Sequence, residues 1–318
     1  MTDGTLTVRI ARKTVEAIDV CSFELVRADG LPLPAFSAGS HIDVHLPEGR
    51  VRQYSLCNDP AESQRYQIAV LRDEAGRGGS KSIHDQVHEG DLMTVNFPRN
   101  HFALAHEAPH HLLLAGGIGV TPILCMAERL ARTGQSFSMH YCSRSRARTA
   151  FLHRISTSAF AKAVTFYHDD VQRIDLRSTL TSVPQGSHLY VCGPRGFMDA
   201  VLGNARELGW PESRLHYEFF GAKVEKQETD GSFQVQIAST GALIDVAPNC
   251  TVLEALSSHG VEILSSCEQG VCGTCLTRIL EGSPDHRDSY LTAEEQQAND
   301  QFLPCCSRSK SPLLVLDL

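Results

Sequence analysis

The feature that most constrains this chain is a run of three cysteines, Cys267-x4-Cys272-x2-Cys275, followed thirty residues later by Cys305. This is the plant-type [2Fe–2S] spacing, in which a loop wraps a small anionic cluster. Glycines between the cysteines let the backbone turn tightly and approach the cluster closely. The spacing therefore predicts an iron–sulfur module near the carboxyl terminus.

Two other interpretations of the cysteines remain open from the residues alone. Zinc also takes four thiolates, but its knuckles usually pair two C-x2-C units, and this stretch has one. Unliganded thiols are the third interpretation. Cys306 lies beside Cys305, and because consecutive strand residues point to opposite sides, we predict that only Cys305 ligates. Without an export signal, the 11 cysteines are expected to be thiols or ligands rather than disulfides.

Length, composition and charge limit the number of domains and the kinds of partner. A chain of 318 residues predicts two or three domains, and 42% hydrophobic content excludes wholesale disorder. The net charge of −8 disfavours nucleic acid as a partner. Residues 232–318 hold 11 acidic and 4 basic residues, a net charge of −7, which predicts a separate module with its own docking partner. The polar start and the shortness of the longest apolar stretch predict a cytoplasmic protein with no membrane span.

The pattern of predicted secondary structure changes twice along the chain. Short strands with turn residues over residues 1–105 predict an antiparallel β-barrel. Strands alternating with helices over residues 106–222 predict an α/β domain with a parallel sheet. The polar stretch 223–231 is typical of a linker, and residues 232–318 form the terminal cysteine-containing domain.

Two motifs in the first domain suit an aromatic phosphate-bearing cofactor. Arg52-x-Tyr54-Ser55 offers a cation, a ring and a hydroxyl, although alone it is equally typical of an ordinary strand. The glycine-rich loop from Gly76 to Ser80 can form an anion-binding nest of backbone amides, with a plain hairpin turn as the alternative.

Two further motifs follow strands of the α/β domain. The segment from Gly116 to Pro122 links an apolar strand to a helix, where helix-terminal amides can meet a diphosphate. Cys192-Gly193-Pro194 ends another strand, at the edge where open α/β sheets bind ligands. A buried small residue is the alternative interpretation of Cys192.

In these motifs and in their order, the whole chain resembles the phthalate dioxygenase reductase family, which includes vanillate O-demethylase reductases. The residues that carry the resemblance are Arg52-Gln53-Tyr54-Ser55-Leu56, Gly76-Arg77-Gly78-Gly79-Ser80, Gly116 to Pro122, Cys192-Gly193-Pro194, Glu218-Phe219-Phe220-Gly221-Ala222, the four cysteines, and the ending from Cys305 to Leu318.

The resemblance implies an FMN-binding β-barrel, an NAD-binding α/β domain and a C-terminal α+β ferredoxin of β-grasp type. It implies no acid–base catalytic residue and a [2Fe–2S] cluster held by Cys267, Cys272, Cys275 and Cys305. The implied FMN contacts are Arg52, Gln53, Tyr54, Ser55, Ala69, Val70, Leu71, Gly76, Gly78, Gly79, Ser80, Thr121 and Phe220. The implied nicotinamide contacts are Gly116, Gly117, Gly119, Thr121, Ser143, Arg144, Cys192, Gly193 and Pro194.

The choice of nicotinamide rests on the basic segment from Ser143 to Arg148, which follows a sheet strand where an adenosine ribose would bind. Arginine there can accommodate the 2′-phosphate of NADPH, or the segment can be a solvated basic loop. Because the family leans towards NADH, we expect NADH, with NADPH as the alternative.

The resemblance implies an oxidoreductase that serves as the reductase component of a two-component Rieske non-haem iron oxygenase. Electrons would pass from NADH to FMN, to the [2Fe–2S] cluster and on to the oxygenase, of aromatic-ring dioxygenase or O-demethylase type. Two alternatives stay open: a stand-alone NADH:acceptor oxidoreductase, and a redox sensor that uses the cluster as a switch.

Overall fold

The protein is represented by a computed structural model that describes residues 4–46, 49–74, 78–105, 107–220, 230–265 and 267–318. It divides into two compact units, Met1–Glu218 and Phe219–Leu318. The linker predicted at residues 223–231 lies mostly outside the described residues. Among the residues described, no helix is long and apolar enough to cross a membrane.

The first unit begins with an antiparallel sheet ordered β4-β3-β6-β1-β2-β5, with β7 paired to β3. Alternating apolar side chains point inwards and form one hydrophobic core, as expected for strands with one buried face. The elements are β1 (Thr5–Ala17), β2 (Val20–Arg27), β3 (Ser40–His45), β4 (Val51–Ser55), β5 (Tyr66–Leu71), α1 (Gly79–Gln86), β6 (Leu92–Asn96) and β7 (Arg99–Asn100).

The predicted barrel is not closed by hydrogen bonds. In the described part of the chain no ladder joins the two end strands, β4 and β5. The amide of Cys57, just after β4, donates to the Gln67 carbonyl at 2.9 Å, but the Gln67 amide donates to the side chain of Asn58 at 2.9 Å. Because a side chain takes the place of the next backbone partner, the ladder stops after one bond and the sheet stays open.

The second sheet of this unit is parallel throughout and ordered β10-β9-β8-β11-β12, as predicted for an α/β domain. Its strand order reverses at β8, so the crevice between β8 and β11 is the topological switch point. The elements are β8 (His111–Gly116), α2 (Val120–Arg132), β9 (Phe137–Ser143), α3 (Leu152–Ser156), β10 (Val164–His168), α4 (Leu176–Thr181), β11 (His188–Cys192), α5 (Arg195–Glu207) and β12 (Leu215–Glu218).

The two sheets of the first unit share a hydrophobic core, to which Val20 and Ala69 contribute from one sheet and Tyr190 from the other. Polar contacts also join them: the Arg154 guanidinium donates to the Gln67 side chain at 2.8 Å. Through this shared core the two sheets belong to one compact unit.

The second unit is a mixed sheet ordered β14-β13-β19-β15-β17, with α6 among the elements that bury its core. Thr251 begins α6 with a capping box, in which its hydroxyl and the Glu254 carboxylate each accept a backbone amide. The elements are β13 (Phe233–Ile237), β14 (Leu243–Val246), α6 (Val252–Ser258), β15 (Thr277–Glu281), β16 (Pro284–Asp285), α7 (Ala293–Ala298), β17 (Gln301–Phe302), β18 (Arg308–Ser309) and β19 (Leu313–Leu316).

Candidate cofactor sites

The four predicted cluster cysteines lie in the second unit as two pairs. The thiols of Cys267 and Cys272 are within hydrogen-bonding reach of each other, and so are those of Cys275 and Cys305. Within the first pair the contact lowers the pKa of Cys272 to about 5 and raises that of Cys267. A [2Fe–2S] cluster held by four cysteines needs two thiolates on each iron, and the pairing supplies this arrangement.

A mononuclear zinc site fits the same residues less well. Such a site needs four ligands that converge on one point. Within the described ranges, no three side chains of metal-ligating type converge on a single ion position. The two pairs instead match the two irons of a [2Fe–2S] cluster, each of which takes two cysteines.

Backbone and hydroxyl donors surround the cysteine sulfurs. The Gln269 amide donates to Cys267 Sγ at 3.3 Å, and the hydroxyl of Thr274 lies 3.2 Å from Cys272 Sγ. When Cys272 is a metal-bound thiolate, that hydroxyl becomes the donor. Hydrogen bonds to the sulfurs are one of the factors that set the potential of such a cluster.

Two glycines of the loop are required by close packing. Both have a left-handed backbone, with φ of 67° at Gly270 and 71° at Gly273. A Cβ on Gly270 would lie 2.4 Å from Cys306 Sγ, and one on Gly273 would lie 2.2 Å from the ring of Tyr290. Only glycine fits at either position, which explains the motif C-x4-C-x2-C with its interleaved glycines.

The geometry at Cys305 and Cys306 differs from the one assumed for the sequence. These residues lie in a turn rather than on a strand, and the amide of Cys306 donates to the Leu303 carbonyl at 3.2 Å. Both thiols are buried, and their sulfur atoms are within reach of each other. The predicted orientation of the two side chains to opposite sides is wrong, because alternation holds for extended backbone and not for a turn.

A positively charged cradle is built where β4 and α1 meet. The side chain of Arg52 lies against the start of α1, so that a Cβ on Gly79 would be 2.9 Å from its Nε. The side chain of Arg50 lies equally close to Gly78, at 2.8 Å. Gly78 precedes the helix in a left-handed conformation and offers no side-chain cap, so helix amides face the same place. Helix amides and arginine together are typical of a phosphate site.

Other residues predicted to contact the flavin have different surroundings. The Gln53 amide donates to Asp43 Oδ1 at 2.9 Å, and Ser80 Oγ accepts the amide of Asp73 at 3.1 Å. The predicted residues of β5 include Ala69 and Val70, which are buried, and Leu71, which is 39% exposed. Gly76 lies outside the described residues, and the half-buried Tyr54 packs against the core of its sheet.

A residue that the sequence analysis gave no role lies beside Ser55. The hydroxyl of Ser55 donates to Glu218 Oε2 at 3.3 Å, across a separation of 163 residues. Burial raises the pKa of Glu218 to about 7, while the Ser55 hydrogen bond opposes the rise. Burial, with Glu218 nearby, also raises the pKa of Cys192 well above its usual value. An acid at the carboxyl end of a parallel strand was the signal that could have identified Glu218.

The glycines predicted at the nicotinamide site bring two loops into direct backbone contact at the switch point. A Cβ on Gly119 would lie 2.3 Å from the Cys192 carbonyl oxygen, and one on Gly193 would lie 2.9 Å from the Gly116 Cα. Gly117, with φ of 52°, starts the turn that leads into α2. These contacts leave the helix amides of α2 and the Cys192 loop at one edge of the sheet.

Four further residues were predicted to contact a cofactor. Thr121 is buried in the first turn of α2 and donates to the Ile118 carbonyl at 3.1 Å. Ser143 ends β9 and uses its hydroxyl internally, 2.7 Å from Thr149 Oγ1. Arg144 follows it and is exposed. Phe220 belongs to the second unit, where its ring is 39% exposed.

Comparisons with known proteins agree with this architecture. Residues 235–310 match the family of 2Fe-2S iron-sulfur cluster binding domains, and residues 93–215 match the dimethylamine monooxygenase subunit DmmA-like N-terminal domain. A vanillate O-demethylase oxidoreductase of Pseudomonas putida is 53% identical over 97% of this chain and 98% of its own. The reductase subunit of a tert-butanol monooxygenase / tert-amyl alcohol desaturase of Aquincola tertiaricarbonis is 44% identical, over 98% and 96% respectively.

The solved structure of a phthalate dioxygenase reductase aligns with a TM-score of 0.82 and 40% identity, covering 99% of this chain and 98% of that one. Fold and sites thus define an NAD(P)H-dependent oxidoreductase with a flavin and an iron–sulfur cluster. Within that class, the chain belongs to the phthalate dioxygenase reductase family, together with the vanillate O-demethylase oxidoreductases. The predicted family and the three-part fold class are confirmed.

Proposed function

We propose that this chain is the reductase component of a two-component Rieske non-haem iron oxygenase. Electrons would enter from NADH at an FMN, move to the [2Fe–2S] cluster and leave to the oxygenase. The observation that carries the proposal is that one chain combines two pairs of thiols with a parallel sheet at whose switch point Ser55, Glu218 and Cys192 lie close together. A flavin supplies the step between them when bound, because it exchanges hydride with nicotinamides and single electrons with iron–sulfur centres.

The cradle at the start of α1 would hold the phosphate of the flavin. Arg52 and Arg50 supply positive charge, and the amides that follow Gly78 donate hydrogen bonds. A single phosphate group suits a site built from one helix terminus, which supports FMN. The predicted flavin contacts at Tyr54, Ala69–Leu71, Thr121 and Phe220 belong to the same proposal.

The side chains at the switch point would position the rings of the flavin and the nicotinamide and exclude water. They belong to Ser55, Cys192 and Glu218. Cys192 stays a neutral thiol, because burial raises its pKa, and its backbone packs on Gly119. Glu218 is partly protonated near pH 7, so its carboxyl can donate a proton to, or accept one from, a neighbouring polar atom. Ser55 fixes the orientation of that carboxyl through its hydrogen bond.

The donor would be NADH, with the adenosine at the end of β9. Of the arginines that follow Ser143, Arg148 donates to Asp19 at 2.8 Å and is thereby engaged within the protein. This reduces the positive charge available to a 2′-phosphate and supports NADH over NADPH. NADH as donor is also in keeping with the cytoplasmic site of action that we propose.

We propose the domain organisation 1–105 for flavin, 106–222 for nicotinamide, 223–231 as a linker and 232–318 for the cluster. The last segment carries a net charge of −7, which would steer it towards a basic patch of the oxygenase. The relatives named above serve oxygenases with different substrates, so the substrate is a property of the partner. Turnover with the oxygenase should fall as ionic strength rises, and an unchanged rate would contradict this steering.

The test of the whole relay is the visible spectrum of anaerobically purified protein before and after stoichiometric NADH. We expect flavin bands overlaid by broad iron–sulfur absorption, and both should bleach. Deletion of residues 232–318 should abolish cytochrome c reduction while NADH still bleaches the flavin. Protein that contains no flavin and does not bleach would refute the proposal.

A further inference from the structure

A fifth thiol lies against the cluster loop. Cys306 is 2% exposed, and its Sγ packs directly on Gly270, where a Cβ would be only 2.4 Å away. The amide of the same Gly270 donates to Cys305, whose Sγ is also within hydrogen-bonding reach of Cys306. One glycine thus contacts both sulfurs.

The thiol proton of Cys306 has three acceptors within reach. The Leu303 carbonyl is 3.7 Å away and the Ser307 hydroxyl 3.8 Å, both near the long limit for sulfur. The Ser307 hydroxyl also accepts the Arg287 amide at 3.2 Å and donates to Asp288 at 3.4 Å, so only one of its lone pairs is left for Cys306. The third acceptor is the sulfur of Cys305.

When a cluster is bound, the Cys305 sulfur is the strongest of these three acceptors. Cys305 then has no proton, so the S–H of Cys306 is the only hydrogen left between the two sulfurs. A thiolate carries negative charge, and hydrogen bonds to charged acceptors are stronger than those to neutral carbonyls. Because reduction adds negative charge to the cluster and its ligands, such a bond stabilises the reduced state more than the oxidised state.

Resting on the function proposed above, we propose that Cys306 is a tuning residue for the cluster: its thiol donates a hydrogen bond to the Cys305 sulfur and favours the reduced state. It is not a ligand, and it acts through Cys305. Its burial beneath the turn that holds Cys305 excludes competing water from this bond.

The test is a redox titration of the full-length holoprotein followed by EPR, with the variants Cys306→Ala and Cys306→Ser. At a fixed applied potential, we expect Cys306→Ala to lower the ratio of reduced to oxidised cluster about three- to tenfold. Cys306→Ser keeps a donor and should stay within threefold of the unmodified protein. Cys250→Ala is the matched control, since this thiol lies in the same unit but packs against a different core, and it should change nothing.

Pulsed EPR of the reduced protein is the second measurement. The Gln269 amide and the Thr274 hydroxyl also carry exchangeable protons near the sulfurs, so the comparison is between variants. We expect one coupling to an exchangeable proton, which deuterium oxide replaces, to be present in the unmodified protein and in Cys306→Ser and absent from Cys306→Ala. An unchanged ratio in Cys306→Ala, a serine variant that falls as far as the alanine variant, or the same exchangeable couplings in the unmodified protein and Cys306→Ala would each overturn the inference.

Cluster retention distinguishes tuning from ligation. If Cys306→Ala loses the cluster while Cys305→Ala keeps it, Cys306 is the ligand and the assignment is wrong. An unmodified protein without any [2Fe–2S] signal would instead refute the proposed function. The two failures can therefore be told apart.

Discussion

The substitution Gly119→Ala tests the contact at the switch point of the parallel sheet. Its new Cβ would lie 2.3 Å from the carbonyl oxygen of Cys192 and 2.5 Å from the amide nitrogen of Gly193. Ordinary contacts of a Cβ begin at 3.4 Å, and the atoms it meets belong to backbone that cannot rotate away. The two loops must therefore separate by about 1 Å.

That separation has two expected consequences. Overpacking of this size costs about 1–3 kcal/mol of unfolding free energy, or a fall in Tm of roughly 2–12 °C for a unit of this size. A misplacement of about 1 Å between reacting groups can slow a reaction about 100-fold. Anaerobic stopped-flow reduction of the flavin by NADH should therefore slow by about one to two orders of magnitude.

The matched control is Gly203→Ala in α5, where a Cβ meets nothing within 4 Å. It should leave the rate unchanged and raise stability by about 0.5–1 kcal/mol, because alanine favours helix over glycine. Chemical reduction of the cluster with dithionite should be normal in both variants. If Gly119→Ala reduces its flavin at the unmodified rate with an unchanged Tm, the close packing of these loops does not position the nicotinamide.

Three more predictions follow from the site and its surroundings. Burial raises the pKa of Glu218 to about 7, so the free energy of unfolding falls as pH rises from about 4.5 to 7, by at most about 3 kcal/mol. Glu218→Gln should remove this pH dependence, which denaturant titrations across that range would measure. Burial beside His188, 2.8 Å away, lowers the pKa of His216 to about 4, so the free energy of unfolding falls as pH drops from about 6.5 to 4. His216→Phe should make the free energy of unfolding less dependent on pH in the same titrations. If the variant and the unmodified protein lose the same free energy over that range, the assignment is contradicted. Gly79→Ala would place a Cβ 2.9 Å from Arg52 Nε and displace that side chain. We expect flavin affinity, measured by fluorescence on reconstitution, to fall about 10-fold. In the control Gly196→Ala the new Cβ meets nothing within 4 Å, so this variant should bind flavin as the unmodified protein does.

Much of the architecture could be predicted from local sequence patterns. Apolar runs interrupted by helical segments indicated the parallel sheet, because strands buried on both faces need continuous apolar residues. The spacing of Cys267, Cys272 and Cys275 indicated a cluster loop, since that spacing reflects how a short loop wraps two metals. Both features depend on residues close together in the chain.

The features that the sequence analysis missed depend on individual hydrogen bonds at strand ends and in turns. The barrel was expected to close, but Asn58 takes the place of a backbone partner at the end of the sheet. Cys305 and Cys306 were expected on a strand, but the turn that starts at Leu303 places their sulfurs together. Patterns of residue type do not report which particular group completes a hydrogen bond.

The sequence by itself determined the order of the modules, the cysteine ligands to expect and the glycine-rich loops after particular strands. Only the tertiary structure decided that the cysteines form two pairs, that Arg52 reaches the start of α1 and that Glu218 meets Ser55. The physical reason is that periodicity and spacing record how a segment folds on itself. The pKa of a carboxyl or the fit of a glycine is set by groups that folding brings from elsewhere in the chain.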